Sequence, residues 1–173
     1  MTTTSAIGNA IAALVAAVNA AVAAGSFGKD VAVFEGFYIA DSELTLQSRI
    51  WIGYDPINPA NPAAEGTQEF AALNQARSRN ETFSIVCAVE SWTGNADNAT
   101  ATVRANVFAL LAQFELLLRG TAASAGPGDT TLGGKVLWSQ VTGPIIFDYV
   151  GDDSGVLGQL SFHVACAARL TTS

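Results

Sequence analysis

The chain has 173 residues and 17.8 kDa, half of them hydrophobic, with only 13% charged, a net charge of -7 and a pI near 4.4. That length implies one domain, residues 1–173. The charged fraction lies well below the ~25% usual for a soluble domain, so part of the apolar surface is expected to meet other subunits. Eight scattered basic residues exclude a phosphate-reading DNA surface, which needs clustered Lys and Arg.

The first 28 residues carry no charged side chain. A secretory signal would open on a basic segment, whereas the first basic residue is Lys29, and alanine is too weakly apolar for a spanning helix. The stretch is expected to be a packing helix of a soluble, intracellular chain. Ile7, Ile11, Leu14, Val15, Val18 and Val22 recur at helical spacing over Ser5 to Ala24, with Ser5 as N-cap and Gly25 as stop. The uncharged remainder of its surface fits either a core helix covered on two sides or a subunit contact.

Two β-type runs follow, DVAVFEGFYI and SRIWIGYD, then the proline-rich segment Asp55 to Gly66, expected as an exposed loop. QEFAAL is expected as a short strand and ETFSIVCAVESW as a longer one, with Phe83, Ile85, Cys87 and Val89 on one face. The alternation around Arg77, Arg79 and Glu81 sets three charges on one strand face, either solvated or facing a neighbouring subunit. A second helix is expected over Asp97 to Arg119, capped by Asp97 or Asn98 and stopped by Gly120. Its core stripe is Val103, Val107, Leu110, Phe114 and Leu117, widened by Phe108, Leu111 and Leu118. A Gly-, Ala- and Ser-rich loop runs from Thr121 to Thr131.

The last third holds two β-type runs of ~14 residues about Asp152, Asp153, Ser154 and Gly155, which predicts a long hairpin. Strands that long, at ~3.3 Å per residue, would overhang a compact domain and seek a partner. The coarse order is helix, β-meander, helix, long hairpin. The fold class is α+β, an antiparallel or mixed sheet flanked by two helices.

Chemistry-bearing constellations are sparse. His163, the single histidine, falls on the strand face opposite Leu160, Phe162, Val164, Cys166 and Ala168, with no nucleophile motif beside it. Asp152 and Asp153 lack the spaced ligands of a Ca²⁺ loop, and Gly133-Gly134 before Lys135 lacks phosphate-loop spacing. No enzyme activity, cofactor or metal is expected. Cys87 and Cys166 fit buried thiols, or a disulfide if their strands are adjacent.

The order and phrasing VFEGF, IWIGYD, ARSRNETFSIVCAVESW, LLLRG, TLGGKVLWSQV and GQLSFHVACAARL resemble the tail terminator (tail completion, tail-to-head joining) proteins of long-tailed siphophages, especially those of actinobacterial phages. The resemblance runs from Val31 to Leu170. It implies a virion structural protein made in the host cytoplasm: a hexameric ring at the head-proximal end of the tail, with no membrane partner. Such a ring docks on the last ring of the tail tube, stops polymerisation and presents a surface to the head stopper or connector protein. DNA passes through its lumen without sequence-specific binding, and acidic lumen charges would let it slide. The implied subunit contacts are Arg77, Arg79, Glu81 and His163. The implied docking loops carry Pro56, Asn58, Pro59, Asn61 and Pro62, and Gly126, Pro127 and Asp129. A tail tube or other neck protein of the same broad fold, and a small ligand-binding domain, are the alternatives.

Overall fold

The structure is a computed structural model, described for residues 4–37, 47–70, 78–94, 97–119 and 129–171. Two helices, α1 (Ile7–Ala23) and α2 (Ala99–Arg119), cover one face of a six-stranded mixed sheet. The strands are β1 (Val31–Glu35), β2 (Ser48–Ile52), β3 (Ala64–Phe70), β4 (Ser78–Gly94), β5 (Trp138–Asp152) and β6 (Gly155–Thr171). Their lateral order is β1-β2-β4-β6-β5, and β3 pairs with β4 on the same side as β2, towards the start of β4. The chain is therefore α+β with a long C-terminal hairpin.

The expected meander is corrected at its start: β1 and β2 run parallel, Val31 opposite Ser48 through Glu35 opposite Ile52. Two short strands of similar composition carry no directional signal, so their shared direction was invisible to pattern alone. The proline segment is shorter than expected as a loop, because Ala64, Glu65 and Gly66 already pair with Ile85, Ser84 and Phe83. The hairpin matches its pattern, with Asp153 and Ser154 alone between β5 and β6. The overhang is resolved inside the chain for β6, which pairs along its whole length with the equally long β4. Of the two hairpin strands, β5 is the one left with a side that no strand pairs among the described residues. Its register shifts between Thr142 and Ile146, so Pro144 sits in an irregularity of an edge strand, where a missing N–H breaks no ladder bond.

Helix α1 rests on the sheet through Ala10, Leu14 and Val18, all fully buried. Ile7, Ile11, Val15 and Val22 are half-buried flanks, because the small Ala10 lets the helix settle closely and wedges the large side chains to either side. Two-sided cover is not met within one chain: Gly8, Asn9, Ala12, Ala16 and Asn19 on the outer face are exposed. The helix ends as its sequence implies. Gly25 (φ 80°) donates to the Val22 carbonyl at 2.9 Å and Ser26 to Ala21 at 2.9 Å, the paired bonds of a Schellman stop.

Helix α2 buries Val103, Val107, Leu110, Leu111, Phe114 and Leu118. By length and composition alone it would suffice to cross a membrane, but its apolar stripe faces the sheet. Phe108, expected to widen that stripe, is 44% exposed and only leans on Phe147 at 5.5 Å. Val103 lies 3.2 Å from where a Cβ on Gly158 would stand, so glycine in β6 is what lets α2 come this close. Beneath the helices lie Phe83, Ile85, Cys87 and Val89 of β4 and Leu160, Phe162, Val164 and Cys166 of β6. Each large aliphatic or aromatic side chain so buried contributes about 1.5–3 kcal/mol.

Both cysteines lie in this core as free thiols. Cys166 opposes Phe83 and Cys87 opposes Phe162, which sets them four ladder positions apart, ~13 Å at ~3.3 Å per residue. That is beyond the ~7 Å over which a disulfide closes. Burial pushes the Cys87 thiol far up and that of Cys166 up to about 12, so neither ionises near neutrality.

Candidate assembly surface

Strand alternation divides the candidate residues between the two sheet faces. On the helix-bearing side, Glu81 is only 2% exposed, and its carboxylate serves α1. Oε2 accepts the Ala6 N–H at 2.6 Å and Oε1 accepts the Gln68 amide at 2.7 Å, while Arg79 donates to the Gln68 oxygen at 2.8 Å. An anion here completes the orphan N–H groups at the start of α1 and faces its positive dipole end. Burial by itself raises the Glu81 carboxyl, but the bonds from Ala6, Gln68 and Ser5 and the Arg79 charge outweigh it and hold it below the usual range. Arg79 and Glu81 thus share a face as their spacing implied, but both engage neighbours within the chain. Arg77 lies outside the described residues.

A depressed carboxylate contributes stability that is fully present above its unfolded value, near 4.5, and is lost as the pH falls through the lower folded value. Glu81→Gln is expected to lower the melting temperature at pH 7 and to flatten the acid-side loss of stability. Thermal melts from pH 7 down to about pH 3 check this. An acid limb as steep in the variant as in the wild type would sink the assignment.

The helix-free face carries a second, smaller cluster of Ala32, Phe34, Trp51 and Ala88 with Tyr54, and Phe34 stacks on Trp51 at 4.5 Å. Beside it, Glu90 accepts the Trp51 indole N–H at 2.8 Å and the Gln159 amide at 2.5 Å, and Arg49 approaches at 3.4 Å. The residues between β2 and β3 lie over this face, clasped at both ends to Val86. Gly53 N–H donates to the Val86 carbonyl at 2.7 Å, and Val86 N–H donates to Ala63 at 3.1 Å. Buried Asp55 organises the interior, accepting from the Ile57 and Asn58 N–H groups and the Asn61 amide at 3.0–3.1 Å. Asn58, Pro59, Asn61 and Pro62 are exposed on this fixed loop, and Pro56 is half-buried.

His163 lies on the helix-free face, as expected, at a cavity of about 280 Å³ lined by Asn61, Pro62, Glu65, Ser84, Val86 and Pro144. Its Nδ1 has no hydrogen-bond partner among the described residues. Ser84, His163 and Glu65 share that cavity without bonding one another, so the nucleophile-to-base and base-to-carboxylate contacts of a hydrolytic triad are not formed. Among the described residues no group of three His, Cys, Asp or Glu side chains could hold a metal ion. Of the second candidate loop, Gly126 and Pro127 lie outside the described residues. Asp129 accepts the Thr131 N–H at 2.8 Å and also binds the Gly133 N–H, which fixes the approach to β5. The Thr131 hydroxyl and N–H and the Gly133 N–H hold the Asp129 carboxyl below its usual range.

Pattern reading expected the long hairpin to seek a partner but did not say which of its strands would do so; the structure sets β5 at the edge. Trp138, Ile145, Ile146 and Val150 in an edge strand of 15 residues, and Leu137 just before it, are all 38–58% exposed. Natural edges of that length are usually blunted by charged side chains, prolines, bulges or cover; here a bulge with Pro144 and the exposed Asp148 interrupt the strand, and no lysine lies within it. The class defined by fold and surface is an α+β domain with one helical layer and an apolar sheet margin that no strand pairs among the described residues. No protein-family model matches the chain, and no curated protein matches it.

Proposed function

We propose that this chain is a structural virion protein, the subunit of a hexameric ring at the head-proximal end of a siphophage tail. The ring stops tail-tube polymerisation and joins the tail to the head connector, with DNA passing through its lumen and no catalytic step, metal or cofactor involved. The observation that carries this reading is the long apolar edge of β5, which a lone soluble domain would cover and an assembling one leaves open. The clasped loop 53–63, rigid and rich in proline and asparagine at its tip, supplies a defined surface for a tube or stopper partner. The low charged fraction and the resemblance along the chain point the same way.

Light scattering across a concentration series, with negative-stain images, tests the reading. Six copies of 17.8 kDa give a closed ring of about 107 kDa. Open-ended tubes would reassign the chain to the tail tube. A monomer at every concentration, with isolated tails as well as without them, would sink the proposal.

A further inference from the structure

The geometry points to a specific self-contact: the outer edge of β5 in one copy pairs with the outer edge of β3 in the next, head to tail, so that the sheets join into one. This rests on the reading of the chain as a ring subunit. Among the described residues no strand pairs with either of those edges, and they lie on opposite sides of the same sheet.

Three observations select a second copy as the occupant. Strand direction is the first. β6 runs antiparallel to β4 and β5 antiparallel to β6, so β5 runs with β4, while β3 runs against it. A head-to-tail neighbour keeps these directions, which brings β5 beside an antiparallel β3, the more stable pairing. Level is the second. Ala64–Thr67 oppose Ile85–Thr82, these oppose Val164–Ala167, and those oppose Val141–Trp138, so β3 and the first half of β5 stand at the same height in the sheet. Side-chain character is the third. β3 ends in Glu69 and Phe70, the latter 78% exposed. At the matching end of β5 stand Leu137 and Trp138, 58% and 41% exposed, with exposed Lys135 just before them. At that level Trp138 falls beside Thr67, so Leu137 becomes a diagonal, same-face neighbour of Phe70 and exposed Lys135 lies at the end that carries Glu69, one apolar and one charged match across the join. A heterologous contact of this kind closes into a ring when its rotation allows.

Two variants test it. Leu137→Glu with Trp138→Glu blocks the β5 edge, and Glu69→Lys with Phe70→Lys blocks the β3 edge; all four positions lie outside the buried core. Each variant alone is expected to run as a folded 17.8 kDa monomer, with a melting temperature close to that of the wild type. Mixed, they are expected to form a one-to-one heterodimer of about 36 kDa and nothing larger, since each supplies the one intact edge the other lacks. A β3-blocked variant that dimerises alone would mean β5 pairs with itself and would overturn the inference. So would a wild-type oligomer that survives both blocks, or two monomers that ignore each other on mixing. In those three cases the ring reading stands and only this contact falls. A wild type that never assembles, even with tails present, removes the ring reading and this contact together.

Discussion

Glu90→Ala is expected to destabilise the chain by about 3–5 kcal/mol, the usual cost of removing one partner from a buried charge pair. The Glu90 side chain is 4% exposed and that of Arg49 16%, so the remaining guanidinium would sit against little solvent. The carboxylate also accepts the Trp51 indole N–H and the Gln159 amide, and its loss orphans both donors on a packed sheet face. Those two bonds join β2, β4 and β6 across the helix-free side, so the effect spreads over three strands. Glu90→Gln keeps an acceptor and loses the charge, and is expected to cost about 1–2 kcal/mol. Urea unfolding followed by tryptophan fluorescence measures both, because Trp51 lies in the network. Against a typical total of about 5–15 kcal/mol, the alanine variant should lose a large share of its midpoint. A cost below about 1 kcal/mol would mean that water screens the pair as it does on a surface.

How much of this was legible in the sequence depends on the range of each interaction. The hairpin was legible because its turn residues are adjacent and both strands are long. The helices were legible because a period of 3.6 is a local property. Glu90 and Glu81 were not read as buried, since a carboxylate inside a strand reads as a solvated face unless its partners are known. Those partners come from afar: Ala6 lies 75 positions from Glu81, and Gln159 lies 69 from Glu90. A signal was nonetheless present at Glu90, which interrupts the apolar run IVCAVESW at a position alternation assigns to the face of Val86 and Ala88. The parallel pairing of β1 and β2 had no such signal. Nor did the clasp of residues 53–63 on Val86, where the prolines announced a loop but not that both its ends return to one residue.

Phe162→Ala is the second change expected to have a large effect, about 3–5 kcal/mol, for the transfer of the ring and the cavity it leaves. Phe162 is fully buried in the middle of β6, opposite Cys87, with Phe114 of α2 edge-on at 5.0 Å. It therefore ties the helix layer to the central strand pair. A cycle with Phe114→Ala should return a coupling of about 0.5–1.5 kcal/mol, the worth of an edge-to-face pair beyond its buried area. Additive losses would mean that the two rings share a core without sharing an interaction. The contrast with the outer strand of the same hairpin separates folding from assembly. Leu137 and Trp138 are exposed in the single chain, so their replacement should leave its unfolding within about 0.5 kcal/mol of wild type. Phe162→Ala should instead depress stability and ring formation together, because a neighbour can only pair with an edge that the core is holding straight.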